Sequence, residues 1–126
     1  MVKPAPRPTE AELLLLRALW RHGPSTVRQV MEAVRAEKEI GYTTVLKLMQ
    51  IMTEKGHVVR DESQRTHVYK ARWTEDQTQK RLVKDLLDRA YEGAASKMVL
   101  HALASKKASK SERDAIRRLL DDMEGV

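Results

Sequence analysis

The chain has 126 residues, a formal net charge of +6, and neither cysteine nor phenylalanine. That excludes disulfides, thiolate metal sites and thiol redox chemistry, and leaves Leu, Val, Met, Ala and Ile to build the core. No apolar run reaches the roughly 18 residues that span a bilayer, and the basic, proline-rich start Met1–Pro8 lacks the apolar segment of a secretory signal, so no membrane insertion and a cytoplasmic location are expected.

The positive charge is unevenly placed. Residues 1–73 hold 13 Lys/Arg against 8 Asp/Glu, a net +5, whereas residues 74–126 hold 11 against 10, a net +1. The surplus points the first part toward a polyanionic partner and leaves the second part for another task.

Met1–Pro8 (MVKPAPRP) reads as a flexible arm. Thr9-x-x-Glu12 is a capping box ahead of an apolar run, which predicts a first helix over about Thr9–His22. Leu13, Leu16, Leu19 and Trp20 would face the core, and Gly23-Pro24 ends the helix. Ser25 is expected in a short edge strand. Thr26-x-x-Gln29 is a second capping box. Val27, Val30, Met31 and Val34 then repeat at i, i+3, i+4, i+7, so a second helix should end near Ala36, before the charged loop Glu37-Lys38-Glu39.

The third helix, bounded by Gly41 and Gly56, organises the rest. Val45, Leu48, Met49 and Met52 carry the spacing of one buried face. Thr43, Lys47, Gln50 and Glu54 fall on another. Lys55 suits the negative end of the helix and Gly56 the left-handed cap. The two hydroxyls at the helix start, Thr43 and Thr44, followed by a cation and an amide, can hydrogen-bond phosphates and base edges in a major groove. A solvated amphipathic helix would look similar in isolation. The flanking elements and the charge favour DNA.

After Gly56 the period changes from 3.6 to 2. Residues 57–62 and 66–71 read as two strands of a hairpin, joined by the polar Ser63-Gln64-Arg65. Three helices and a two-stranded hairpin make a winged helix-turn-helix over residues 9–73. Its third helix enters the major groove, and the hairpin tip, with Arg65, reaches the backbone or minor groove. Arg60 and Lys70 flank Arg65 as weaker candidates.

Thr74-x-x-Gln77 is a third capping box. The helix after it carries Leu82, Val83, Leu86, Leu87, Ala90 and Tyr91 along one side and stops at Gly93. A short helix holds Met98, Val99, Leu100 and Leu103. Ser109-x-x-Glu112 caps a last helix with an Ile116, Leu119, Leu120, Met123 stripe. Three short helices over residues 74–126 bury too little alone, so this part reads as a three-helix dimerisation domain. Leu82, Leu86, Leu87, Leu100, Leu103, Ile116, Leu119 and Leu120 would form the homodimer interface. The fold class is therefore mainly α with a small β hairpin.

These segments together resemble the BlaI/MecI family, the penicillinase repressors. The resemblance rests on TEAELLLLRALW (9–20), TVRQVMEAV (26–34), YTTVLKLMQIMTEKG (42–56), RTHVY (65–69) and the late Ser-x-x-Glu with its Leu-Leu pair. It implies a transcriptional repressor that binds a dyad-symmetric DNA operator as a homodimer. It places Thr43, Thr44, Lys47 and Gln50 on the recognition helix and Arg65 on the wing; Tyr42, at the helix entry, is a further DNA-binding candidate, either a phosphate contact or a packing residue. It also implies a membrane sensor-protease that detects β-lactam and triggers a cut in the C-terminal domain, at an Asn-Phe bond. The matching position here is His101-Ala102, which departs from that pattern. The copper-responsive branch carries C-terminal cysteine pairs, and this chain has no cysteine.

Two other classes compete. A winged helix can serve as a protein-protein interaction module, but its docking face would be more apolar than this basic one. An enzyme would need chemistry that the sequence lacks: there is no His-Glu-x-x-His, glycine-rich phosphate loop or nucleophile elbow, and no cofactor motif. His22, His57, His67 and His101 are scattered. His57 and His67 could face each other across the hairpin and hold a metal, or simply be two polar residues on an exposed sheet face. No metal site is expected.

Overall fold

The computed structural model describes residues 7–125. Most of the arm expected over Met1–Pro8 lies outside the described residues. Six helices and one hairpin follow in order: α1 (Glu10–His22), α2 (Val27–Val34), α3 (Tyr42–Lys55), β1 (Val58–Asp61), β2 (Val68–Ala71), α4 (Glu75–Ala90), α5 (Ala95–Ser105) and α6 (Lys110–Glu124). The chain divides into two compact units, the first ending at Leu82 and the second beginning at Val83.

Local chemistry starts the helices where the sequence places them. Thr9 accepts from Glu12 N–H at 3.1 Å while the Glu12 carboxylate accepts from Thr9 N–H at 2.8 Å. Thr26 and Gln29 repeat the reciprocal pair ahead of α2, and Thr74 and Gln77 ahead of α4. Each pair satisfies two backbone donors that a helix start leaves open. Helix α2 ends at Val34, two residues before the expected Ala36, with Arg35 as its cap. Helix α3 runs the expected length, from its N-cap Gly41 to Gly56, whose φ of 84° is the left-handed cap that glycine alone adopts cheaply.

One core serves α1, α2, α3 and the hairpin. Leu15, Leu16 and Leu19 of α1, Val30 and Val34 of α2, and Val45, Met49 and Met52 of α3 meet Val58 and Tyr69 there. Leu14 is buried as well, while Leu13 and Trp20 sit at the edge of this cluster. Ser25 forms the expected strand contact as a single bridge to Tyr69, with hydrogen bonds of 2.9 and 2.8 Å in both directions. This ties the start of α2 to the wing.

The hairpin is antiparallel, with Val58 opposite Ala71 and Asp61 opposite Val68. Six residues, 62–67, connect its strands, where the sequence suggested three. The register also overturns the suggested histidine pair. His57 lies at the base, where its carbonyl accepts from Arg72 N–H at 3.0 Å, and is buried. His67 lies at the tip beyond the Asp61–Val68 pair and is exposed. The two imidazoles are at opposite ends, and His57 is a core residue rather than a surface one.

In the second unit, no residue of α5, α6 or the α4 segment that enters it is buried. Leu86, Leu100, Leu103, Leu119, Leu120 and Met123 are all exposed. Among the described residues, no helix is long and apolar enough to cross a membrane.

Candidate nucleic-acid interface

Helix α3 is held by its apolar face and leaves its polar face free. Val45, Met49 and Met52 are each 0% exposed, whereas Tyr42, Thr43, Thr44, Lys47, Gln50 and Glu54 are open to solvent. Burial of Val45, Met49 and Met52 fixes the rotation of the helix about its axis. That rotation turns Lys47 and Gln50 outward along one stripe, with Tyr42, Thr43 and Thr44 at the helix start. Gly41 gives the first turn no side-chain cap, so the opening amides and the positive end of the helix dipole lie beside the threonines. Lys47 takes part in no ion pair among the described residues. A free ammonium and a free amide on a rigid helix suit base edges, and hydroxyls beside open amides suit phosphate oxygens.

The far end of α3 is anchored electrostatically. Lys55 Nζ reaches both carboxylate oxygens of Glu12 at 3.0 and 3.1 Å, and Glu12 is only 1% exposed. Burial pushes the Glu12 carboxyl up, but the Thr9 hydrogen bonds and Lys55 outweigh it and hold it below its ordinary value. The residue that caps α1 therefore also clamps the last turn of α3. His57 lies next in sequence after the Gly56 cap. Burial pushes its imidazole below the ordinary value against the attraction of Glu12, and the positive charges of Lys55 and Arg81 push the same way.

The hairpin tip is open. Arg65 lies in the exposed 62–67 connection and joins no ion pair among the described residues. Arg60 is less free: its guanidinium meets Glu62 at 2.6 Å. Lys70 is exposed opposite Val59.

Sequence reasoning missed two features of this surface. Arg28, in the first turn of α2, lies with its guanidinium carbon 5.8 Å from the Tyr42 ring centroid. The signal for its exposure was available, because Val27, Val30 and Val34 claim the buried side of α2. Its neighbour on α3 was not available. Trp73 was likewise read only as a junction. Its carbonyl accepts from Trp20 Nε1 at 3.0 Å, and Arg72 and Arg81 both lie over its ring, at 5.3 and 5.8 Å.

The residues expected at the dimer interface lie in α4, α5 and α6. Leu86, Leu100, Leu103, Leu119 and Leu120 are exposed, and Leu82, Leu87 and Ile116 are half-buried. His101 and Ala102 lie within α5, both exposed, with His101 Nδ1 3.1 Å from the Tyr91 hydroxyl. Among the described residues, no group of three or more His, Cys, Asp or Glu is placed to hold a metal ion.

The profile described as penicillinase repressor matches residues 8–122. A transcriptional regulator BlaI of Mycobacterium tuberculosis, found in two strains, is 32% identical over 117 residues, spanning 91% of this chain and 83% of that protein. Among solved structures, Bacillus licheniformis BlaI, in its monomeric form in complex with the blaP half-operator, superposes with a TM-score of 0.50. At 20% sequence identity over 60% of this chain and 92% of that one, the likeness shows the fold.

Proposed function

The chain belongs to the penicillinase repressor family, a DNA-binding transcriptional repressor by that membership, and from this premise we propose that it binds a dyad-symmetric operator as a homodimer. The observation that carries the reading is the division of α3 into a fully buried apolar face and an open polar one. Lys47 and Gln50 read bases in the major groove. Thr43 and Thr44 meet phosphates at the helix start, where Tyr42 either joins them or packs at the helix entry, and Arg65 reaches the backbone or minor groove from the wing. The apolar surface of α4–α6 joins two copies, and a cytoplasmic location follows from work on DNA.

Release acts through the second unit, by a membrane sensor-protease or another signal. The His101–Ala102 bond lies inside α5, and a protease takes its substrate extended, so a cut there requires local unwinding of that helix first. Loss of the dimer would then release DNA without altering the reading head. No step calls for catalysis or a cofactor.

The test is selection of bound sites from random duplex DNA by the full chain, followed by Lys47→Ala and Gln50→Ala on the selected site. Each should lose about 1–3 kcal/mol on that site and much less on random duplex. Equal losses on both would restrict these side chains to phosphates. Failure to enrich any sequence would sink the operator reading and favour a protein-docking module.

A further inference from the structure

Arg28 has a charge that the fold does not use. Arg17 is paired with Glu37, Arg35 with Glu32 and Arg60 with Glu62. Among the described residues, Arg28 has no acidic partner. Its contact is the Tyr42 ring, 5.8 Å from the guanidinium carbon. Tyr42 is the first residue of α3 and is 45% exposed, so it is not packed away as a core aromatic. An aromatic face attracts a guanidinium without neutralising it and without engaging its in-plane N–H donors. The ring therefore restrains the arginine while leaving its fork available to a second group. That second group must be anionic, and the contact lies beside the open first turn of α3.

We propose that Arg28, braced on Tyr42, is a DNA-backbone contact supplied by α2: it binds a phosphate flanking the groove that α3 enters and so sets the register of α3 on the duplex. This rests on α3 entering the major groove as described above. A phosphate contact of this kind carries no base information of its own but positions the residues that do. In this arrangement the Tyr42 ring orients Arg28.

The test is fluorescence anisotropy of the full chain on its selected duplex and on a random duplex of equal length, across a salt series. Arg28→Ala should weaken both by a similar factor and lower the slope of log K against log salt by about one. Arg28→Gln, which drops the charge but keeps a helix-compatible side chain, should do the same, and serves as the reading if the alanine variant fails to fold. Arg28→Lys should recover the slope. Tyr42→Ala should weaken binding by less when Arg28 is already alanine. An unchanged slope in Arg28→Gln overturns the proposal, as does a loss confined to the selected duplex, which would mean a base contact. Lys47→Ala on the same duplex separates the two readings. If it weakens binding while the Arg28 variants do not, the clamp alone fails. If neither has an effect, the placement of α3 fails with it.

Discussion

Glu12 carries two connections at once. It closes the capping box that starts α1 and holds Lys55 in the last turn of α3. A buried carboxylate is costly unless every neighbour favours its charge, and removing one partner of such a pair costs more than the pair contributes. Lys55→Met should therefore destabilise the fold by about 2–3 kcal/mol, toward the low end for a buried pair because Lys55 keeps some solvent. Glu12→Gln combined with Lys55→Met should cost less than Lys55→Met alone, since no buried charge is then left over. Denaturant melts of Lys55→Met, Glu12→Gln and the double variant decide it. Simple additivity would mean that the pair is not coupled. A pH dependence follows from the same cluster. The folded pKa of His57 lies below its ordinary 6.5, so the folded state favours the neutral ring. Its stabilising contribution is complete above about 6.5 and is lost as pH falls toward the folded value. Glu12, also lowered, contributes above its ordinary 4.5 and loses that as pH falls through its folded value. Stability should thus begin to decline as pH falls below about 6.5, and His57→Gln should move that onset to lower pH. An onset unchanged in His57→Gln would contradict this.

At the scale of elements, the helices were legible because their determinants are local. Thr9, Thr26 and Thr74 each announce a start three residues ahead of a Glu or Gln, and each pair forms. The face of α3 was legible for the same reason: a period of 3.6 separates Val45, Met49 and Met52 from Lys47 and Gln50 without reference to any other element. What stayed hidden depends on distant partners. The Glu12–Lys55 pair joins residues 43 apart in sequence, and Arg28 meets Tyr42 only because α2 and α3 pack against each other. The hairpin register, which buries His57 and exposes His67, follows from the bridge of Ser25 to Tyr69 and the packing of Val58, not from alternation alone. The two glycines that bound α3 make a testable contrast. Gly56 has φ 84°, so Gly56→Ala should cost about 1–2 kcal/mol in backbone strain. The Arg72 guanidinium 3.4 Å from the added methyl can move aside. Gly41 has an extended φ of −69° with no atom within 4 Å of a new Cβ. Gly41→Ser should therefore gain a few tenths of a kcal/mol by capping α3. Thermal melts that rank the two variants in the opposite order would reject this account of the helix ends.

For the whole molecule, the second unit sets the question. Its exposed leucines lie on three helices, none of which buries a residue in the single chain. Leu100 is 66% exposed and Leu119 60%, far from the burial that a core leucine reaches, and each leucine that a second copy covered fully would contribute about 1.5–3 kcal/mol. A two-fold interface built from Leu86, Leu100, Leu103, Leu119 and Leu120 would then sustain a dimer. The two α3 helices would address successive major grooves about 34 Å apart. Joining two weak readers raises affinity through effective concentration by orders of magnitude, so such a dimer would be the point at which a signal acts. Cutting the chain after Leu82 tests this and respects the first unit, because it keeps Trp73, whose carbonyl holds Trp20, and Arg81, which covers the Trp73 ring. The shortened chain should be a folded monomer by light scattering and should bind the selected full operator at least about tenfold more weakly. It should bind a half-site as the full chain does. Leu119→Glu with Leu120→Glu in the full chain should reproduce both effects by placing like charges in the interface. A shortened chain that stays dimeric, or keeps full operator affinity, would give α5 and α6 another role.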